Sequence, residues 1–341
     1  KRNNYTIKRI LPEILKSPLK SGYKKALADI AEHIEKENFD IIHCHDYHML
    51  FIGKLIKKRK NDIKLIYDAH EYLRGWPLYL TNKGIINKLK GYLVWRKELY
   101  LEKESIKFCD EILTVTTTIA RSFQTDYNLS NLPEVISNYP SKVDIKKSNF
   151  IKEKFRLDDN KKIIIHSGSI YFSEEQINKL ITKIDENKNT VIVFVGNRPQ
   201  FYELKNRFTK NQLYYKLIYF IEYPKNHEML FKILSSADIG LVHIRNKWKA
   251  HKFGLANKFV EYSHAGLAVI STYQDSIYEI NKKFDHCKFY NENNIDEFEL
   301  ALKDALNNLE IMKYNALKTR DHLTWESEGE KLIKLYKNIM D

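Results

Sequence analysis

Ala237-Asp238-Ile239-Gly240-Leu241-Val242-His243-Ile244, followed by Gly254-Leu255-Ala256-Asn257-Lys258-Phe259-Val260-Glu261-Tyr262-Ser263-His264-Ala265-Gly266-Leu267-Ala268-Val269-Ile270, reads as a strand, a polar loop, a helix and a second strand. The two apolar runs are too short for helices, and the stretch between the glycines has helical length, as in a parallel β-α-β unit. Asn257 and Glu261 are four residues apart and Lys258 and Glu261 three, so all three lie near one helical face. A cation beside the unpaired N–H groups of a helix start attracts phosphate. A carboxylate one turn further on accepts hydrogen bonds from sugar hydroxyls. That chemistry suits a nucleotide-sugar. The plainer alternative is a solvated Lys and Glu at the start of an ordinary helix.

Outward from this unit the same alternation repeats. Apolar runs at 40–44, 63–67, 111–115 and 134–136 are expected strands, with helices between them. A polar linker occupies 137–148, and strands are expected again at 162–166, 190–195, 217–221, 239–243 and 268–271. Unbroken apolar strands separated by helices indicate parallel sheets covered on both faces. The expected fold class is therefore α/β, with two doubly wound, Rossmann-like domains facing across a cleft. The expected domains are 1–140, completed by a C-terminal helix at 325–341, and 141–324.

The 341 residues, 43% hydrophobic and 13% aromatic, suffice for two cores. Cys44, Cys109 and Cys287 are odd in number and lack metal spacing, which fits reduced thiols and a cytoplasmic protein. No apolar run reaches the length of a membrane span. A net charge of +13 favours anionic partners: nucleoside diphosphates or an acidic membrane surface. Nucleic acid is not expected, because no recognition motif accompanies the charge.

Ligands of doubly wound sheets bind beyond the carboxyl ends of the strands. After the first strand stand His43, Cys44, His45, Asp46 and Tyr47, and after the second Asp68, His70 and Glu71. His45, just past the strand, is the expected acid, base or phosphate donor. His43 is expected to face the sheet interior, and Asp46 to cap the following helix. Zinc held by His43, His45 and His70 is a weaker alternative, since neither H-E-x-x-H nor paired C-x-x-C is present. Thr116 and its neighbours read as a helix cap. In the second series, Gly168-Ser169 and Gly196-Asn197-Arg198 follow strands, where glycine lets the backbone approach a ligand. Arg198 offers a second phosphate contact.

Taken in order, Asp40-Ile41-Ile42-His43-Cys44-His45-Asp46, Leu65-Ile66-Tyr67-Asp68-Ala69-His70-Glu71, Asp110-Glu111-Ile112-Leu113-Thr114-Val115-Thr116 and Val135-Ile136-Ser137-Asn138-Tyr139-Pro140 resemble family 4 glycosyltransferases of the GT-B fold. Ser236-Ala237-Asp238-Ile239-Gly240-Leu241 and the stretch from Asn257 to Ile270 continue the resemblance, which covers roughly residues 38–340. It implies a retaining transfer from a nucleotide-sugar donor to an acceptor hydroxyl, without metal or other cofactor. Glu261 would meet the ribose, and Asn257 and Lys258 the diphosphate and sugar. Gly168 and Ser169 would approach the phosphates, and His45 and Asp46 would face the acceptor or the transferred sugar. Phe253 stands where many members carry Glu, and Ser169-Ile170-Tyr171-Phe172 where many carry a diphosphate-clamping Arg and Lys. Lys258, Arg198 or Arg245 would substitute for that clamp. The usual first strand and Gly-rich loop have no counterpart in 1–39.

The implied role is synthesis of a surface polysaccharide or glycoconjugate on a glycan or lipid-linked acceptor, with peripheral contact to anionic membrane. The alternative is a catalytically inactive scaffold of a transferase complex. Epimerase or phosphorylase chemistry on the same fold is a third reading.

Overall fold

Both series of strands form parallel sheets in a computed structural model that describes residues 21–37, 39–187, 189–209 and 216–341. Contacts divide the chain into two compact units, one reaching to Ile136 and including Leu332–Asp341, the other Ser137–Lys331. The expected absence of a Gly-rich loop falls largely on residues outside the described ones.

The first unit contains α1 (Tyr23–Glu35), β1 (Ile41–His45), α2 (Asp46–Arg59), β2 (Lys64–Ala69), α3 (Ile85–Ile106), β3 (Glu111–Thr114), α4 (Thr117–Tyr127) and β4 (Glu134–Val135). Its described strands pair in the order β1-β2-β3-β4, all parallel. The β1–β2 register sets His43 opposite Ile66 and His45 opposite Asp68. Leu27, Ile30 and Ala31 of α1 pack with Phe51, Ile52 and Ile56 of α2. A second cluster joins Ile66, Leu113 and Ile136 to Leu335, with Leu332, Tyr336 and Ile339 packed against it from the end of the chain. Thr116 caps α4 by accepting a hydrogen bond from Ile119 N at 3.2 Å, as its position in the sequence implies.

The second unit contains α5 (Phe150–Phe155), β5 (Lys162–Ser167), α6 (Glu174–Glu186), β6 (Thr190–Gly196), α7 (Pro199–Thr209), β7 (Ile218–Glu222), α8 (His227–Leu234), β8 (Ile239–Val242), α9 (Lys249–Phe253), α10 (Asn257–His264), β9 (Ala268–Thr272), α11 (Asp275–Phe284), β10 (Cys287–Tyr290), α12 (Ile295–Asn307) and α13 (Leu309–His322). A last helix, α14 (Trp325–Met340), closes the chain. The described strands run β10-β9-β8-β5-β6-β7, all parallel. The order reverses between β5 and β8, and crevices form at such switch points. β10 is an addition to the expected strands.

Successive residues of β5 point to opposite faces. Ile164 joins one apolar cluster with α6, α7 and α12, while Ile163 and Ile165 join another with α8 and α10. Gly240 has a specific reason to be glycine. A Cβ there would lie 2.2 Å from Tyr262 Cδ2, so only a bare backbone lets α10 settle on β8. Tyr262 Oη then accepts a hydrogen bond from Ser167 N at 2.8 Å and ties α10 to the end of β5. Gly240→Ala is expected to cost about 1–3 kcal/mol of stability through overpacking. Denaturant titration of that variant checks the value, and wild-type stability would show that Tyr262 moves aside freely.

Candidate functional site

The switch point of the second unit gathers Gly168 and Ser169 after β5, His243 and Arg245 after β8, and Asn257 and Lys258 at the start of α10. Gly168 adopts φ +87°, a conformation that favours glycine, and a Cβ on it would point toward Lys258 Nζ at 3.9 Å. No side chain caps α10 at Ala256, so the first N–H groups of that helix are left for a ligand. Asn257 is exposed.

Lys258 is half-buried as a residue, but its Nζ is wholly buried and has no hydrogen-bond partner. Burial pushes the ammonium down to about 8, against the favourable charge of Glu261. A buried cation without a partner is costly unless an anion reaches it. Glu261, one turn on, is raised by burial, which His227 and Lys258 oppose. Burial also raises Tyr223, and Glu261 adds to that rise. The carboxylate thus lies among Tyr223, His227 and Lys258.

Two histidines that the sequence pattern placed at strand ends, without a role, complete this pocket of charge. His166 is fully buried between two carbonyls, Leu241 O at 2.9 Å and Ser169 O at 3.1 Å, and so tethers the Gly168-Ser169 turn. Burial and then Lys258 hold it well below the ordinary histidine range, so the neutral ring donates only one of these bonds. His243 stacks on Phe172 at 3.8 Å and meets Tyr290 Oη through Nδ1 at 2.6 Å. Its Nε2 is buried without a partner, and burial, Arg245 and Lys258 push it down to about 3. Both rings stay neutral beside the lysine, which leaves Lys258 as the buried positive charge.

Gly196 ends the neighbouring strand β6, and Asn197 and Arg198 follow it. A Cβ on Gly196 would lie 2.9 Å from Phe201 Cδ2, so packing against α7 accounts for this glycine. Asn197 and Arg198 are exposed. Phe253 is the last residue of α9, its carbonyl accepting a hydrogen bond from Ser276 Oγ at 2.9 Å.

In the first unit, three histidines converge on one carboxylate oxygen. His43 Nε2, His45 Nδ1 and His70 Nε2 lie 3.2, 3.1 and 3.2 Å from Asp68 Oδ2. His45 Nδ1 and His70 Nε2 are 3.0 Å apart, and the rings of His43 and His45 stack at 4.5 Å. His43 is mostly buried and bonds Tyr336 Oη through Nδ1 at 2.6 Å. The chain Tyr336–His43–Asp68–His45 therefore fixes the ring of His45, the more exposed member, and occupies its Nδ1. Burial acts most strongly on Asp68 and works to raise it. Hydrogen bonds from His43 and His45, with His70 nearby, outweigh burial and hold the carboxyl below the ordinary range. His45 is raised, chiefly by its hydrogen bond to Asp68, with burial opposing. The histidines weighed as zinc ligands do come together, and His43, His45 and Asp68 each bring a ligand atom within 4.8 Å of the others.

One local expectation is corrected. Asp46 does not cap α2: its N-cap is His45, and no side chain caps it. Asp46 instead takes φ +64°, a left-handed conformation that aspartate tolerates better than most residues. The sharp turn from β1 into α2 falls on this residue, and such strain gathers at functional sites.

Comparison with known proteins bears on both halves of the chain. Residues 2–139 match Glycosyltransferase Family 4, and residues 147–321 match Glycosyl transferases group 1. Among curated proteins, none matches this chain. Sucrose-phosphate synthase from Thermosynechococcus elongatus superposes with a TM-score of 0.69 at 13% identity, over 93% of this chain and 78% of that one. HepE of Anabaena in complex with UDP gives 0.68 at 12% identity, over 92% and 82%. The α,α-trehalose 6-phosphate synthase of Burkholderia multivorans gives 0.66 at 11% identity, over 94% and 75%. Likeness at such identities is one of fold, and that fold is the two-domain α/β architecture of GT-B type.

Proposed function

This chain belongs to the Glycosyl transferases group 1 family and is a glycosyltransferase, and from that premise we propose that it moves a sugar from a nucleoside-diphosphate donor to an acceptor hydroxyl, with retention and without a metal. The observation that carries the reading is the buried, unpartnered Lys258 Nζ beside Gly168 and the uncapped start of α10. A diphosphate supplies the anion this arrangement lacks. As the anomeric C–O bond to the diphosphate breaks, negative charge grows on the leaving phosphate, and a fixed cation with aligned N–H groups stabilises it. The new bond forms to the acceptor oxygen, whose hydroxyl proton is released. Glu261 takes the ribose hydroxyls. Gly168 and Ser169 approach the phosphates, with Asn197 and Arg198 as further donor contacts. His45 and Asp46 serve the acceptor or the transferred sugar. HepE was also solved in complex with UDP-glucose, which supports a uridine nucleotide as the first donor to try. The product is a polysaccharide or glycoconjugate, made on a lipid-linked acceptor at the cytoplasmic face of a membrane.

A thermal-shift screen across UDP-, GDP-, ADP- and CMP-sugars tests the donor. A ligand at 100 times its Kd adds about 2.7 kcal/mol to stability, so a true donor is expected to raise the midpoint visibly. Absence of any shift or calorimetric heat, with Lys258 and Glu261 intact, would overturn the reading. Because His43, His45 and Asp68 are spaced for a cation, metal independence needs its own check: turnover after EDTA treatment is expected to equal that before it.

A further inference from the structure

From Tyr72 to Lys97 the chain runs 26 residues with six cations, Arg74, Lys83, Lys88, Lys90, Arg96 and Lys97, and no carboxylate. Within it lies the start of α3, where every residue from 81 to 90 is exposed. Ile85, Ile86, Leu89 and Leu93 are 86, 70, 58 and 50% exposed. Ile85, Leu89 and Leu93 follow at intervals of four, so with Ile86 they form one apolar stripe along the helix, and the lysines flank it. Leu78 and Leu80, in a short 3-10 turn beside the helix, extend the apolar area. A contiguous exposed patch of this kind marks an interaction surface.

The outcrop is built firmly. Gly91 lets the 3-10 turn lie directly on α3, since a Cβ there would come within 2.6 Å of Asn82 Nδ2 and 2.8 Å of Tyr79 Cβ. Tyr79, Tyr92 and Trp95 pack their rings together, and Trp95 Nε1 donates to Leu73 O at 3.2 Å. Further along, α3 is anchored by buried Leu99, Glu102 and Ile106, with Tyr67 Oη donating to Glu102 at 2.6 Å. The apolar stripe is therefore held out in water by the fold itself.

Charge decides the occupant. Arg74 is paired with Asp126 at 3.3 Å, but a second copy would still set Lys83, Lys88, Lys90 and Arg96 against their own kind, whereas an anionic bilayer offers phosphates to them and an acyl boundary to the isoleucines and leucines. Clustered tyrosine and tryptophan at the base suit the headgroup level. Among the described residues no helix is long and apolar enough to cross a membrane, so contact is from one side. We propose that the turn at Leu78–Thr81 and the first half of α3 seat this protein on an anionic lipid surface. Ile85, Ile86, Leu89 and Leu93 enter the headgroup boundary, while Lys83, Lys88, Lys90 and Arg96 meet lipid phosphates. The inference rests on the proposed function only for its purpose, which is to bring the enzyme to a lipid-linked acceptor.

Sedimentation of the full chain with phosphatidylcholine vesicles, with and without phosphatidylglycerol, tests it. Binding is expected to rise about tenfold or more with the anionic lipid and to fall with added salt. The double variant Ile86→Glu, Leu89→Glu is expected to lose vesicle binding with its unfolding midpoint unchanged, because both side chains are exposed. No binding by the wild type, or undiminished binding by the variant, overturns the proposal. So does light scattering that shows a dimer broken by the variant while vesicles stay unbound. Transfer to a water-soluble acceptor, measured in parallel, is expected to survive in the variant. Its loss in both proteins would count against the enzymatic reading and leave the docking result standing.

Discussion

Lys258→Ala is expected to lower kcat/KM by about 10³-fold, with most of the loss in kcat, because the charge it meets develops as the diphosphate departs. The same substitution should leave the ligand-free protein no less stable, and firmer by about 1 kcal/mol, since it removes a buried cation without a partner. That combination separates a functional lysine from a structural one. A structural lysine would lose stability and activity together. Steady-state kinetics and the unfolding midpoint of the ligand-free variant give both readouts. Full turnover would end the case for Lys258 as the leaving-group cation. Unchanged turnover in Glu261→Ala would likewise remove the carboxylate from the donor site.

His45→Ala is expected to reduce turnover by about 10²–10³-fold, in the range of general acid–base or hydrogen-bonding catalysis. The finer test lies in Asp68→Asn, which keeps the shape but removes the charge that holds His45 above the ordinary histidine range. Whichever protonation state the reaction needs, the limb of the pH–rate profile due to His45 should move to lower pH. If protonated His45 is required, the alkaline limb moves; if neutral, the acid limb moves. Tyr336→Phe cuts the far end of the same chain at His43 and leaves the Asp68 charge in place, so it should move the profile less than Asp68→Asn does. A profile that stays in place in Asp68→Asn would mean that His45 does not titrate in the reaction.

The second unit's fold was open to reading because its signal is local. Apolar strands of five or so residues, separated by helices, leave few arrangements besides a parallel sheet. β10 escaped because it is a short edge strand, Cys287-Lys288-Phe289-Tyr290, that follows a charged helix end and is only partly buried. That Lys258 and Glu261 share one helix was legible, because local sequence sets their spacing. The contacts of His166, His243 and Asp68 were not, because their partners come from other elements. Asp68 meets His45 only through the β1–β2 register, and His43 meets Tyr336 across a sequence separation of 293. Asp46 shows the opposite failure. An acidic residue where a strand passes into a helix looks like a cap, but this chain turns there so sharply that the residue is used for its backbone.

The membership of α14 carries a consequence for how the protein is made. The first unit opens the chain, yet Leu335, with Leu332, Tyr336 and Ile339 around it, is part of the cluster over one face of its sheet. Those residues are synthesised only after the whole of the second unit. At roughly 5–20 residues per second, Ile66, Leu113 and Ile136 wait some ten seconds or more on the ribosome for their cover. The order of folding during synthesis is thus inverted relative to the order of the sequence: the second unit can finish while the first is still open. Nascent chains stalled before residue 332 should be the form most in need of chaperones.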